Sequence, residues 1–428
     1  PVTTPAQASA AAPPAPAAAV TPAPAHAQDR LAIELEAELV KQAIGDVQGD
    51  DYELEIYGFL DFTYTHLFRD FAFAAPFDSF AIGNFNLYLA SELGDNWRTL
   101  AEVRYSYLPH GAVQMDETGS SRLDTTAGDY TDFGRPLRWG STIIERAWLE
   151  YTVHPLLTAR VGHWLTPYGI WNVDHGSPVV IGVRRPFIVG ESLLPQSQTG
   201  IELRGTHNFE RLQLGYHLTL SNGRGPIDTH QDLDDNKAFG ARLFARADTA
   251  HGAVTVGFSG YMGRYTDRNQ EFVVEDGTFE TRYPRTAQYD ELALAADLKW
   301  EYRGFLLQSE AILNDRSYDD ALRPQVLGAL DPSELAPDDR RLGIYGLAGY
   351  RFEWLGMMPF AGVEYYDAGA ESAFIQKSAA FWGGLNAHPT ARVVLKAQYT
   401  YSWFPDGGDN LPDGASYNAL DLQAAWSF

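Results

Sequence analysis

The chain has 428 residues, 45% hydrophobic and 21% charged, with no Cys and a formal net charge of -24. Without Cys there are no disulfide scaffolds, thiol catalysis or thiolate metal sites, and the acidic balance argues against a nucleic-acid partner. No run of about 18 apolar residues occurs, so no transmembrane helix is available.

Residues 1–28 are almost all Ala, Pro, Thr, Val and Gln and read as an extended linker. They lack the basic start and bulky apolar run of a signal peptide, so the expectation is a mature start at Pro1. Residues 29–47 change pattern. Leu31, Leu35, Leu39, Ala43 and Val47 recur every fourth position, which predicts a short amphipathic helix with Asp29 as N-cap. That helix would lie against the following domain, self-associate as a coiled coil, or bind another partner.

From residue 52 the period becomes two. In "ELEIYGFLDFTYTHL", Ile56, Gly58, Leu60, Phe62 and Tyr64 alternate with Glu55, Tyr57, Phe59, Asp61 and Thr63. Roughly 16 such segments follow, each about 9–15 residues, a length suited to tilted membrane strands. Short joints such as "GDN", "HPL" and "AHPT" alternate with long ones at 68–80, 109–141, 167–198, 223–236, 266–287, 316–340 and 405–415. The joint at 368–373 is short where a long one is due. The alternation predicts an all-β fold: a transmembrane antiparallel up-and-down β-barrel of about 16 strands over 52–428, with both termini at the short-turn end.

One face of the strands carries Leu, Val, Phe, Tyr and Trp. The other carries full charges, including Asp61, Glu102, Arg104, Arg146, Glu150, Arg160, Glu202, Arg204, Arg242, Glu310, Glu364, Lys396 and Asp421. An Arg or Lys facing lipid at the midplane costs about 2–4 kcal/mol, so the charged face is expected to line water and the apolar face to meet lipid. Tyr105, Tyr107, Trp300, Tyr302, Tyr399, Tyr401, Trp403, Trp426 and Phe428 fall near strand ends as an interfacial girdle.

Strand count, loop alternation, girdle and the closing "AAWSF" make residues 52–428 resemble bacterial outer-membrane porins of the roughly 16-stranded kind. The stretch "ARVGHWLTPYG" is similar to the strand-to-loop junction of phosphate-selective porins. The resemblance implies a place in the bacterial cell outer membrane, insertion by the barrel-assembly machinery through a terminal signal that Trp426 and Phe428 match, a trimeric homo-oligomer, and a third long loop folded into the lumen. Here that loop is 167–198. It carries Val179, Val180, Ile181, Phe187, Ile188, Leu193 and Leu194, too apolar for water, so it is expected against the inner wall or at a subunit contact. Arg184 and Arg185 would then face the pore or pair with wall carboxylates.

The expected constriction set is Arg184, Arg185, Arg104, Arg146, Arg160, Arg204, Arg242, Glu102, Glu150 and Asp61. Opposed charges there would set up a transverse field favouring small polar solutes and ions, though each Arg could instead be a wall-stiffening salt bridge. No cofactor is expected. Acidic runs such as "DTHQDLDD" could hold Ca²⁺, without EF-hand spacing. His175-Gly176-Ser177 lacks a G-x-S-x-G setting, so no enzyme is expected. The functional expectation is a water-filled channel for passive diffusion of small hydrophilic solutes. The alternative is a scaffold barrel whose arm, 1–47, binds a periplasmic partner or peptidoglycan.

Overall fold

The computed structural model describes residues 53–68, 78–106, 112–115, 121–124, 141–172, 176–190, 192–225, 232–268, 271–275, 278–282, 284–325, 333, 335–352, 356–369, 376–406 and 413–428. The linker and helix expected over 1–47 lie outside them, as do Tyr107 and His175.

Among the described residues twenty strands form: β1 Glu53–Phe68, β2 Ser79–Glu92, β3 Trp97–Ser106, β4 Ala112–Met115, β5 Ser121–Asp124, β6 Ser141–His154, β7 Leu157–Leu165, β8 Ser197–Asn208, β9 Leu212–Ser221 and β10 Ala238–Thr249. Then come β11 Gly252–Arg268, β12 Glu271–Glu275, β13 Thr278–Arg282, β14 Arg285–Tyr302, β15 Phe305–Tyr318, β16 Asp339–Tyr350, β17 Met358–Asp367, β18 Lys377–Thr390, β19 Val393–Phe404 and β20 Ala415–Ser427. Sixteen close into one antiparallel barrel, each beside its neighbour in the chain, while β4–β5 and β12–β13 are separate hairpins within two of the long connections. Those two connections, expected as plain loops, therefore carry strands of their own. The expected loop 167–198 ends two residues early, because Ser197 and Gln198 already pair with Leu165 and Trp164.

The tight joints follow from local chemistry. Between β14 and β15, Arg303 and Gly304 both have positive φ (48° and 88°), the two-residue turn whose twist matches flanking antiparallel strands. Closure is made by the terminal strand: β1 pairs with β20 from Phe59↔Ser427 to Phe68↔Asn418. Two further backbone bonds join Gly58 and Phe428, at 3.1 and 3.0 Å. No strand edge of the barrel is left open, which is what hydrocarbon demands of backbone polar groups.

Alternation sets the two faces. In β14, Leu292, Leu294 and Leu298 are exposed outside, while Ala293, Ala295 and Asp297 are buried inside. Phe258, Leu243, Met262, Val363 and Phe381 extend the outer apolar surface. The girdle aromatics divide into two belts. Trp97 on Tyr151 (4.6 Å), Phe305 on Tyr350 (4.5 Å), Trp300, Trp426 and Phe428 lie at the tight-turn end. Tyr401 and Trp403 lie toward the long-loop end, while Phe85, on Tyr105 (5.3 Å), also meets the ring of Phe428 (5.7 Å).

Two features depart from strict alternation. Between Glu102↔Arg146 and Val103↔Ile144 the register slips, leaving Glu145 as the extra residue of a bulge, and it turns inward to pair with Arg104. The inner face is also not uniformly polar. Tyr57 stacks on Tyr88 (4.7 Å) beside Phe59, Leu100 and Trp148.

Leu294→Arg, on the lipid face halfway along β14, should lower unfolding stability in phospholipid by about 2–4 kcal/mol. Thr255→Glu, facing inward on β11 between Arg246 and Lys299, should not lower it. Urea titration of the refolded protein in vesicles reads both.

Candidate functional site

A ring of this many strands encloses more space than its own side chains can fill. The connection between β7 and β8, residues 166–196, goes inside and fills part of it. Its apolar residues supply the reason. Ile188 and Leu193 are fully buried, and Phe187, Leu194 and Trp171 join them against Tyr345, Leu347, Phe360, Tyr366 and Trp382 of β16–β18. Burial of one such side chain is worth about 1.5–3 kcal/mol. Glycines of the wall make the seats. A Cβ at Gly343 would stand 2.4 Å from Ile188 Cγ2, and one at Gly240 would stand 1.7 Å from the Tyr168 hydroxyl.

Polar groups of the wall then hold the loop's backbone. Lys396 of β19 donates to the carbonyls of Ser177 (2.5 Å), Val180 (2.8 Å) and Gly182 (2.8 Å). Gln398 accepts from the Val183 and Arg184 amides (2.6 and 3.2 Å), and Glu364 from the Phe187 amide (2.5 Å). Glu310 accepts from the Trp171 amide (3.0 Å) and the Tyr345 hydroxyl (2.7 Å). Asn314 donates to the Leu193 carbonyl (2.7 Å), and Arg224 to those of Ser192 (2.5 Å) and Leu193 (3.1 Å). Arg242 donates to Pro167 (3.0 Å) and Gly169 while pairing with Asp297 (2.8 Å). Tyr168 bonds Thr219 of β9 (2.6 Å), and the Ser177 hydroxyl donates to Asp61 of β1 (2.5 Å). The anchors thus run from β9 round through β20 to β1.

The arc from β3 to β9 carries a different arrangement. Glu102 accepts from Asn86 and Arg146, both at 2.5 Å. Glu150 takes Arg160 (2.8 Å) and Arg204 (2.6 Å). Glu202 takes Arg160 (2.9 Å) and His217 (2.8 Å). Arg104 pairs with Glu145. Two guanidiniums also lie over rings, Arg146 over Tyr88 (5.5 Å) and Arg160 over Trp148 (4.4 Å). The result is a ladder of shared charges on the inner wall.

The loop's two arginines divide between the arcs. Arg184 pairs with Asp421 of β20 at 2.5 Å. Burial works against its charge, but the hydrogen bond and attraction of Asp421 outweigh that and raise its pKa. Arg185 lies within electrostatic reach of Arg104 and Glu145 across the lumen. Burial first, then the like charge of Arg104, lowers its pKa, and Glu145 opposes the fall.

Of the residues singled out from sequence, Arg104, Arg146, Arg160, Arg204, Glu102 and Glu150 come together on the ladder, with Arg185 facing them. Arg184, Arg242 and Asp61 sit at loop anchors instead. Trp426, Phe428, Tyr401 and Trp403 are on the outer surface. Sequence reasoning missed Glu145, whose side the bulge reverses. It also missed that Lys396, Gln398, Glu310 and Glu364 hold loop backbone, a role set by partners more than a hundred residues away. Ser177, of the His175-Gly176-Ser177 stretch, anchors the loop through both its hydroxyl and its carbonyl. In the described part of the acidic run, Asp232 pairs with Lys237 and Asp234 accepts from the Thr266 hydroxyl of β11.

The chain matches no family model and no curated protein. Solved structures do match. The trimer form of the outer membrane protein OmpT of Vibrio cholerae aligns at TM-score 0.51 and 12% identity, over 89% of this chain and 100% of that one. An anion-selective porin from Comamonas acidovorans aligns at 0.52 and 12%, over 88% and 100%. OprB of Pseudomonas putida aligns at 0.52 and 8%, over 88% and 94%. At these identities the likeness is one of fold: the chain has the closed 16-stranded barrel of bacterial outer-membrane porins.

Lys396→Met should release the loop. Three carbonyls lose a charged donor, and the loss should destabilise the protein by about 2–4 kcal/mol. The Arg184–Arg185 bond should then become a trypsin site while the barrel resists. Mass spectrometry of timed digests in detergent checks this, with wild type as the protected reference.

Proposed function

We propose that the chain is a bacterial outer-membrane channel through which small hydrophilic solutes and ions diffuse passively. The observation that supports this best is the division of the inner wall. One arc is spent on holding an inward loop, and the facing arc presents a ladder of fixed charges to the space the loop leaves. Charges in that place suit a water-filled lumen, because their cost in hydrocarbon is avoided only beside water. The apolar outer surface with its two aromatic belts suits lipid on the outside.

On this reading the work is passage, not catalysis. The constriction lies between the ladder arginines and the loop's Arg185, and the loop narrows the lumen without gating it, since it is tied down along its length. Assembly as a trimer is part of the proposal and is supported by the trimer form of one structural neighbour. Insertion through the terminal strand, and a contact of residues 1–47 with a periplasmic or cell-wall partner, complete it.

Purified protein reconstituted in a planar bilayer should give discrete, steady current steps. Absence of steps from protein that retains β-barrel circular dichroism and heat-modifiable migration would remove the channel reading.

A further inference from the structure

The ion pairs of the ladder share an asymmetry that composition hides; elsewhere on the inner wall Arg246 is less exposed than its partners Asp248 and Glu301. In each pair of the ladder the arginine is the exposed partner and the carboxylate the buried one. Side-chain exposures are 23% for Arg146 against 0% for Glu102, 31% for Arg204 against 2% for Glu150, and 12% for Arg160 against 1% for Glu202. Arg104 over Glu145 follows the same order, 31% against 14%. A longer side chain reaches further toward the axis, which is part of the cause. It is not all of it, because at the long-loop rim on the outer face Asp290 is more exposed than its partner Arg264.

The ring contacts and shared carboxylates fix those guanidiniums in place. Arg146 and Arg160 lie over Tyr88 and Trp148, and Glu150 is held by two arginines at once. Arg185 comes from the loop side into the field of Arg104 and Glu145. Around this space stand the guanidiniums of Arg104, Arg146, Arg160, Arg204 and Arg185 against the carboxylates of Glu102, Glu145, Glu150 and Glu202, five to four. The carboxylates lie behind, so the surface offered to a passing ion is made mainly of guanidinium N–H groups.

We infer that the lumen prefers anions, and that small inorganic and carboxylate anions pass along the track formed by Arg146, Arg160 and Arg204 with Arg104 and Arg185 opposite one another at its side. The inference rests on the channel reading above. It runs against the net charge of -24, which by itself would favour cations. Fixed charges within a narrow, low-dielectric wall act on an ion far more strongly than charges spread over loops in water.

The test is the reversal potential of the full chain in a planar bilayer under a KCl gradient, beside the double variant Arg185→Gln, Arg204→Gln. Those two positions are chosen because Glu145 keeps Arg104 and Glu150 keeps Arg160, so neither of these carboxylates is orphaned. Wild type should reverse on the chloride side. Its preference should weaken between about 0.1 M and about 1 M salt, as the screening length falls from about 10 Å to about 3 Å. In the double variant the chloride-to-potassium permeability ratio should fall roughly twofold or more. Steps that reverse on the potassium side in wild type would overturn the anion preference and leave the channel standing. An unchanged ratio in a conducting double variant would overturn the assigned track. No steps at all from folded protein would overturn the channel and, with it, this inference.

Discussion

Sixteen strands closed on themselves leave an interior that wall side chains cannot fill, and the rest of the molecule answers to that constraint. The lipid side fixes the outside: apolar residues alternate outward, and backbone groups are paired round the ring through Gly58 and Phe428. The inside is not fixed by lipid. There the chain solves the filling problem with loop 166–196, whose apolar residues make with β16–β18 the one extended core of the described residues. A loop inside a protein brings backbone amides and carbonyls with it, and each needs a partner. That need accounts for Lys396, Gln398, Glu310, Glu364, Asn314 and Arg242 on the inward faces of strands otherwise occupied by aromatic and small residues.

Those groups divide the inner charges into two populations with different physical roles. On the loop-holding arc a charged side chain meets loop backbone, as Lys396 and Glu364 do, or binds loop and wall together, as Arg242 does with Asp297. On the arc from β3 to β9 the charges meet one another in shared pairs and keep their arginine ends toward the lumen. The same residue types, read from sequence as one polar face, therefore do two jobs. Arg242 and Arg204 illustrate the split. They occupy one row of the wall, with His217 between them in register, yet Arg242 holds the carbonyls of Pro167 and Gly169 while Arg204 shares Glu150 with Arg160.

The fold was legible because its signals are local and repeated. Period-two alternation, tight joints and long joints appear within a dozen residues of one another, and sixteen repetitions leave little room for another architecture. The loop's burial was legible for a similar reason: Val180 to Leu194 is too apolar for water, though Val179, expected to be buried with them, is exposed. The site was legible only in part. Glu145 needed knowledge of a bulge that reverses its side, and a one-residue slip carries no mark in sequence. Lys396 needed knowledge of Ser177, Val180 and Gly182, more than two hundred residues away. The glycine seats at 240 and 343 could have been noticed, since inward-facing glycines in long strands often mark a close approach. Which element approaches them is a property of the closed barrel alone.

Sharing of carboxylates also binds the wall's rigidity to its electrostatics. Glu150 is held by Arg160 and Arg204, and Glu202 by Arg160 and His217, so Arg160 bridges two acids and cannot move without disturbing both. A buried carboxylate stripped of its cations is costly, about 3–5 kcal/mol for a pair broken on one side. The acids therefore hold the arginines as firmly as the arginines neutralise them. A guanidinium fixed in this way meets an ion without first having to reorganise, and its N–H groups keep one direction. The cost of burying Glu102, Glu150 and Glu202 is thus what keeps a positively faced wall in place within a chain whose total charge is strongly negative.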